Sequence, residues 1–456
     1  MKKILRFFIL FIFALLISGC HDSEHTFLIL SDIHFDPFAA CPTDMTPCPL
    51  IQALQKAPVT DWDNLFKPYL HTISSKIGQD TNIALLNATF AEIDSLPKNY
   101  DFVLIPGDFL AHDFKNQFIK MTNDTNEKDY QQFVNKTFAY LYLRLQKTFP
   151  NKIINIAFGN NDTYGKNYSV TPQGQFYQQM SALWHKTNVD TFKRAGYYTV
   201  DLAHHNTIIV LNSVLFSTRV SGIYVQTAAF QELKWLRQQL LLAKNQHQHV
   251  WIITHIPNGI DVYTTIHSKQ ITPMWQQTYN HDFLTLLAEY SDTVNAVITS
   301  HVHMDGFQML LSDTQTPIID TFVPAISPIY GNNPAFKIYH YDPSTLRLTN
   351  FTTYYFDMKK QHWKKEYDFN KIYPARDFLH GYRLIQKTGW YALWYKRYYS
   401  VGTKTQYIAQ GYWLPYYWCA LYHQTVEGYA HCKLDASIRW RDSFQIAGNS
   451  YSITKI

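Results

Sequence analysis

The chain has 456 residues, of which 46% are hydrophobic and 16% are charged. This composition excludes a disordered or coiled-coil protein and allows a sizeable packed core, in one large domain or two ordinary ones. The 40 Lys and Arg residues and 35 Asp and Glu residues give a net charge of +5, which is too small to indicate a nucleic acid polymer as a partner.

Residues 1–19 have the pattern of a bacterial export signal of the lipoprotein type. Basic residues within positions 2–6 precede an apolar run over residues 7–17, which is short for a transmembrane helix. The run ends in Ile17-Ser18-Gly19-Cys20, which resembles the lipobox, the signal whose Cys becomes the lipid-bearing first residue of the mature protein. We therefore expect an exported protein that a lipid anchor at Cys20 holds in the bacterial cell envelope. An ordinary signal peptide, which would release a secreted protein, is the alternative.

The five cysteines fit an oxidising compartment. If Cys20 carries lipid, two pairs remain, Cys41 with Cys48 and Cys419 with Cys432, and the members of each pair are close in sequence. Two local disulfides would suit an exported protein, and free buried thiols are the alternative. No Cys-x-x-Cys occurs, so neither a zinc–thiolate site nor thioredoxin-type chemistry is indicated.

Five apolar runs, each about the length of a buried strand, stop at residues that can bind a metal ion. The runs cover residues 27–30, 102–105, 153–158, 250–253 and 294–298, and they lead in turn to Asp32 and His34, Asp108, Asn160, His255, and His301 and His303. Segments with helical spacing lie between them, at residues 85–96, 130–145, 230–242 and 283–290. Strands that alternate with helices predict an α/β fold, in which the loops after the strands gather on one side and build the site.

The spacing inside two of these loops also matters. In an extended backbone the side chains of residues i and i+2 point to the same side, so Asp32 and His34 can reach one ion together. His301 and His303 can serve different ions only if the backbone turns between them. A single Asp-x-His or His-x-His is more often a hydrogen-bonded pair, whereas five such loops together predict a metal centre.

The order Asp-x-His, Gly-Asp, Gly-Asn-x-Asp, His and His-x-His, over residues 26–340, resembles the calcineurin-like metallophosphoesterase superfamily. Finer motifs at residues 107–113, 254–257, 300–305 and 324–328 resemble its acid sphingomyelinase-like phosphodiesterase branch. The resemblance implies a four-layer αββα sandwich as the catalytic domain, over residues 26–345. It also implies a helical C-terminal region within residues 346–456. At its start, residues 346–357 alternate between apolar and polar side chains, which predicts a last strand or a hairpin arm.

The resemblance also implies a role for each ligand. Asp32, His34 and His303 would hold one metal, Asn160, His255 and His301 would hold a second, and Asp108 would bridge them. Carboxylate, amide and imidazole donors without thiolate suit two divalent ions, for which zinc is the first choice and manganese or iron are alternatives. Two ions roughly 3.5–4 Å apart can clamp the attacking and the leaving oxygen of a phosphoryl group, and a hydroxide that bridges both would attack phosphorus.

One position departs from the family pattern. Many members have a His after the Asn of the third motif, where it protonates the leaving group, but this chain has Asn161, which cannot supply a proton. His112, four residues after Asp108, is the candidate general acid. A histidine that is tied to Asp113 or to a backbone carbonyl, and only stiffens the loop, is the alternative.

We therefore expect an exported dimetal phosphoesterase that cleaves phosphodiester or phosphoanhydride bonds in small substrates of the nucleotide or phosphocholine type. A sphingomyelin phosphodiesterase and an endopolyphosphatase are alternatives, the latter because Gly159-Asn160-Asn161-Asp162 resembles such enzymes. Only residues 21–26 separate Cys20 from the first predicted strand, so we expect no saposin-like lipid-presenting domain. A surface binding protein that kept the fold and lost turnover is the alternative from another class.

Overall fold

The computed structural model describes residues 25–42, 44–70, 74–186, 189–314, 316–375, 377–387, 398–403 and 413–434. The predicted export signal at residues 1–19 and its Cys20 lie outside the described residues. Within the ranges just given, none of the helices combines the length and the hydropathy that crossing a bilayer requires.

The strands of the described residues are β1 (His25–Ile29), β2 (Phe102–Ile105), β3 (Ile153–Ile156), β4 (Tyr198–Asp201), β5 (Thr207–Val210), β6 (Val250–Ile253), β7 (Val294–Thr299), β8 (Phe307–Leu310), β9 (Ile318–Phe322), β10 (Ala335–Tyr341), β11 (Leu348–Asp357) and β12 (His362–Asp368). They pair into two six-stranded sheets, in the orders β12-β11-β10-β1-β2-β3 and β4-β5-β6-β7-β9-β8. Strands β1, β2 and β3 run parallel, and so do β5, β6, β7 and β9. The carboxyl ends of parallel neighbours therefore meet at one edge of each sheet.

The α-helices of the described residues are Pro49–Lys56, Trp62–Phe66, Ile83–Ser95, Phe114–Thr122, Glu127–Thr148, Gln175–Leu183, Asp190–Ala195, Ile223–Asn245, Val262–Ser268, Gln277–Glu289, Phe369–Ile372, Phe378–Lys387 and Leu414–Tyr422, and residues 426–434 are helical as well. Each of the four segments with helical spacing lies largely within one of these helices. Two of the helices begin after a capping Asn, because the side-chain oxygens of Asn82 and Asn126 accept hydrogen bonds from the first backbone N–H groups.

The two sheets pack face to face. Alternate residues of β6 point to opposite sides of the sheet. Trp251 lies between the two sheets, with its ring centroid 5.1 Å from that of Phe27. Val250 and Ile252 pack on the other side, with apolar residues of the helices Ile223–Asn245 and Gln277–Glu289. The Tyr198 hydroxyl of the second sheet donates a hydrogen bond of 2.9 Å to the Ile156 carbonyl of the first. The structure confirms the predicted α/β sandwich.

The first sheet continues past residue 345. Strand β11 pairs with β10 and β12 pairs with β11, so the domain boundary predicted at residue 345 lies inside this sheet. Helical segments follow, and one of them places the Tyr382 ring 3.7 Å from the Phe307 ring in a stacked arrangement. The helical C-terminal region is confirmed, as are the two predicted disulfides, Cys41–Cys48 and Cys419–Cys432.

Candidate metal centre

All seven predicted ligands follow the carboxyl ends of parallel strands, and the structure brings them together. They come after β1, β2 and β3 in the first sheet and after β6 and β7 in the second. Six of them are at most 3% exposed and His301 is half-buried. Because the loops of both sheets converge, the site lies where the two sheets meet.

The ligand atoms form two groups. In the first group, Nε2 of His303 lies 3.2 Å from Nε2 of His34 and 3.4 Å from Oδ1 of Asp32. In the second, one ligand atom from each of Asp108, His255 and His301 lies within 4.8 Å of the others, and Oδ1 of Asn160 lies 3.1 Å from Nε2 of His255. Each group has the size of a single metal site.

Asp108 lies between the two groups. Its Oδ2 is 3.4 Å from Nε2 of His34 and 3.3 Å from Nε2 of His255. One carboxylate oxygen therefore faces an imidazole of each group, which is the position that a bridging ligand needs.

At five of the seven predicted ligands, Asp108 (φ +55°) among them, the backbone is left-handed and not extended. The φ angles are +47° at Asp32, +43° at His34, +68° at His301 and +63° at His303. The expectation that an extended backbone orients Asp32 and His34 is therefore wrong. Both turn into the site because their loop bonds to the next one, with the Asp32 N–H donating to the Gly107 carbonyl and the His34 N–H to the Asp108 carbonyl, each at 3.0 Å.

The expected turn between His301 and His303 is present. It sends His301 to one group and His303 to the other. Left-handed backbone at non-glycine residues is uncommon, and its concentration at these loops is typical of functional sites.

Two histidines are fixed by backbone carbonyls. Nδ1 of His34 donates to the Leu110 carbonyl at 2.9 Å, and Nδ1 of His255 donates to the Pro106 carbonyl at 2.8 Å. A carbonyl can only accept, so Nδ1 carries a proton in both rings and Nε2 is directed at the centre. Such outer contacts orient metal-binding imidazoles in many proteins.

The carboxylates of the centre favour the protonated form of two imidazoles. Burial alone would lower the pKa of the His34 and His255 imidazoles, but the Asp108 and Asp32 carboxylates outweigh it and raise the pKa of His34 to about 10 and that of His255 to about 9. Oδ1 of Asp32 is buried and has no hydrogen-bond partner among the described residues. Buried carboxylates that face imidazole nitrogens, with an oxygen left unsatisfied, fit divalent cations.

Asp162 is a residue whose role the sequence analysis missed. Its Oδ1 accepts hydrogen bonds from the backbone N–H groups of Phe109 and Leu110, and its Oδ2 accepts them from Asp108 and Gly159. This one carboxylate thus ties the loop after β2 to the loop after β3. The available signal was an Asp two residues after a predicted ligand in a turn.

Two further residues, Asn167 and Tyr168, contact the second group. Nδ2 of Asn160 donates to Oδ1 of Asn167 at 2.7 Å, which directs the Asn160 oxygen towards His255. The Tyr168 hydroxyl lies 3.4 Å from Nε2 of His301. No sequence motif marks either residue.

His112 lies beside the first group. Its ring stacks on that of His34, with 4.2 Å between centroids. Its backbone N–H and its Nδ1 both approach the Asp80 carboxylate, at 2.7 and 3.0 Å, so its acidic partner is Asp80 and not Asp113. Nε2, at the other side of the ring, lies 3.2 Å from the Tyr330 hydroxyl.

A cleft of about 250 Å³ opens over the centre. Its lining includes His112 and Arg219, and its aromatic wall is formed by Tyr168, Tyr263, Tyr330, Tyr399 and Tyr417. The Arg219 guanidinium lies 5.2 Å from the centroid of the Tyr168 ring and 3.9 Å from the Asp261 carboxylate. Since Tyr399 and Tyr417 belong to the C-terminal region, that region shapes the cleft.

The chain is similar in sequence to known proteins. The family model described as Calcineurin-like phosphoesterase matches residues 25–305. Sphingomyelinase phosphodiesterase D of Dictyostelium discoideum is 28% identical over 313 residues, which are 65% of this chain and 67% of the relative. A cyclic GMP-AMP phosphodiesterase of Bos taurus is 25% identical over 320 residues, with 64% and 70% covered.

Acid sphingomyelinase-like phosphodiesterase 3b of Homo sapiens is 24% identical over 386 residues, which cover 79% of this chain and 78% of the relative. The family match spans more than half of the chain and includes all seven predicted ligands. The chain belongs to the calcineurin-like phosphoesterase family, is similar to acid sphingomyelinase-like phosphodiesterases, and is a metal-dependent phosphoric ester hydrolase.

Proposed function

We propose that the chain hydrolyses phosphodiester or phosphoanhydride bonds of small substrates at a two-metal centre. In this proposal Asp32, His34 and His303 hold one ion, Asn160, His255 and His301 hold the other, and Asp108 bridges them. The observation that carries it is the position of the Asp108 Oδ2, 3.3–3.4 Å from imidazole nitrogens of both groups.

Two divalent ions at these positions would supply the activation of a water nucleophile and the charge that stabilises the phosphoryl oxygens. The donors are carboxylate, amide and imidazole groups, which favour zinc, with manganese or iron as alternatives. The backbone carbonyls at Pro106 and Leu110 keep the imidazoles in the orientation that such ions need.

His112 is the proposed general acid. Asp80 fixes the ring through the backbone N–H and Nδ1, and the Ser327 hydroxyl donates to Asp80 at 2.9 Å. Because Nδ1 is held by Asp80, Nε2 is the atom that can give a proton to the departing oxygen. Nε2 lines the cleft side of the ring, within hydrogen-bond distance (3.2 Å) of the Tyr330 hydroxyl, which also lines the cleft.

The cleft favours substrates with a second anionic group and a planar ring. Arg219 can pair with a phosphate beside the scissile one, and tyrosine rings can stack on a nucleobase. This supports a nucleotide diester or phosphoanhydride, in line with the relative that is named for cyclic GMP-AMP. A phosphocholine substrate is the second candidate, since tyrosine faces also attract quaternary ammonium groups and Asp261 lines the same cleft.

The test is hydrolysis of a panel of sphingomyelin, CDP-choline, ATP and polyphosphate, with added zinc or manganese. We expect turnover of ATP or CDP-choline. Both carry a phosphate beside the scissile one, so the KM for the substrate that is hydrolysed should rise in Arg219→Ala. Bis(p-nitrophenyl) phosphate, which lacks a second phosphate, serves as the control and should show little change in that variant.

The same samples separate the alternatives. Faster release of p-nitrophenol from p-nitrophenyl phosphate than from bis(p-nitrophenyl) phosphate would indicate a phosphomonoesterase. A folded protein that hydrolyses none of these compounds with any metal would be a binding protein, and the proposed function would be wrong.

We further propose that the protein is exported and lipid-anchored at Cys20 in the bacterial cell envelope. The two disulfides support an oxidising compartment. Labelling of cells with a radioactive fatty acid should mark the wild-type protein and leave Cys20→Ser unlabelled; label that persists in the variant would refute the anchor.

A further inference from the structure

Asn161 contacts both oxygens of the Asp108 carboxylate. Its backbone N–H donates to Oδ1 at 2.8 Å, and its side-chain Nδ2 donates to Oδ2 at 2.9 Å. Oδ2 is the same atom that faces His34 and His255. A single residue therefore fixes the plane of the carboxylate that lies between the two ligand groups.

Asn161 is buried beneath the cleft lining. It is 6% exposed, and it is not among the described residues that line the cleft, although its neighbour Asn160 and its partner Asp108 are. Its side-chain contact in the structure is with the Asp108 carboxylate, at the metal-facing oxygen.

We propose that Asn161 is a positioning residue that clamps the bridging carboxylate for metal binding. The inference rests on the proposed two-metal function, because it assigns Asn161 to the retention of the ions and not to the leaving group. The position that would hold the proton donor in many relatives thus serves the metal centre in this chain.

The energetic reason is the rotational freedom of a carboxylate about its Cβ–Cγ bond, which is a soft torsion. Asp108 has to present Oδ2 to both groups at once, and the Asn161 amide holds it there before an ion arrives. Loss of such outer partners commonly weakens metal affinity by about 10–100-fold. In Asn161→Ala the backbone hydrogen bond to Oδ1 remains, so the variant removes only the contact to Oδ2.

The experiment compares wild type, Asn161→Ala and Asn161→Ser with the control Asn155→Ala. Asn155 is also a buried asparagine, 2% exposed in β3, but its amide has no hydrogen-bond partner among the described residues. Zinc and manganese affinities are measured by competition with a chromophoric chelator. Turnover is then measured at saturating metal on aryl phosphodiesters whose leaving groups range from p-nitrophenol to phenol.

We expect the affinity of Asn161→Ala to fall by about 10–100-fold. Saturating metal should restore its kcat to within a few-fold of wild type, equally for good and poor leaving groups. Asn161→Ser keeps a hydrogen-bond donor of shorter reach, so its metal affinity should lie between those of wild type and Asn161→Ala. Asn155→Ala should bind metal as wild type does. The visible spectrum of the cobalt-loaded protein, which reports ligand geometry, should change in Asn161→Ala and not in Asn155→Ala.

Unchanged metal affinity in Asn161→Ala would overturn the inference. So would a loss of turnover that persists at saturating metal and grows with the basicity of the leaving group. If Asn161→Ala does not fold, the comparison of Asn161→Ser with wild type decides the question in the same way. A wild-type protein that binds no metal would instead contradict the proposed function itself.

Discussion

Asp162 provides the sharpest test of how the fold holds the centre. The Asp162 carboxylate accepts four backbone N–H groups, two on each oxygen, at 2.8–3.3 Å. In Asp162→Asn the side chain keeps its shape but has a single acceptor oxygen. Two of the four buried N–H groups must then lose their acceptor, and the new amide N–H₂ faces them.

The cost follows from this count. Each buried donor that loses its partner costs about 1–3 kcal/mol, so the variant should lose about 2–6 kcal/mol of unfolding free energy. The matched control is Asp36→Asn. Both N–H groups that Asp36 accepts, from Phe38 and Ala39, bond to the same oxygen, Oδ1, so an asparagine can keep both and we expect a change below about 1 kcal/mol.

The assay is urea unfolding of the metal-free proteins, followed by measurement of their zinc affinity. Because Asp162 holds the N–H groups of Asp108 and Gly159, the zinc affinity should fall together with the stability in Asp162→Asn. A variant that unfolds within about 0.5 kcal/mol of wild type and binds zinc normally would refute this account of the two loops.

Three further predictions concern the proposed general acid, the protons released on metal binding and a buried ion pair. His112→Ala should reduce turnover of phenyl diesters by about 10²–10⁴-fold and that of p-nitrophenyl diesters far less; equal losses, in steady-state kinetics, would deny His112 the acid role. The raised pKa values of His34, about 10, and His255, about 9, mean that both rings are protonated at pH 7 without metal, so metal binding should release up to about two protons and tighten as pH rises towards 9. Calorimetry in buffers of different ionisation enthalpy measures this release. If metal binding released no protons, the metal would not be bound at these rings. Lys337→Ala leaves the buried Asp305 carboxylate, 2.6 Å from the ammonium group, without its cation and should cost about 3–5 kcal/mol in urea unfolding; a cost below about 1 kcal/mol would contradict it.

The convergence of the seven predicted ligands could be inferred from the sequence because each follows an apolar run that ends abruptly. Parallel strands bring their carboxyl ends to one edge, so residues as distant as Asp32 and His303 meet without any local signal that links them. The α/β fold and the two disulfides followed from equally local patterns.

The supporting residues could not be predicted in this way. Asp80 lies 32 positions before His112, and Asp162 lies 54 positions after Asp108, so only the folded chain shows these partners. The left-handed backbone at Asp32 was missed for the same reason, since hydrogen bonds to the neighbouring loop impose it.

The most direct test of the two-metal centre is anomalous X-ray scattering at the zinc edge from crystals grown with zinc. We expect two peaks roughly 3.5–4 Å apart, one on each side of the Asp108 carboxylate. A single peak elsewhere, or no peak among these side chains in an active preparation, would contradict it.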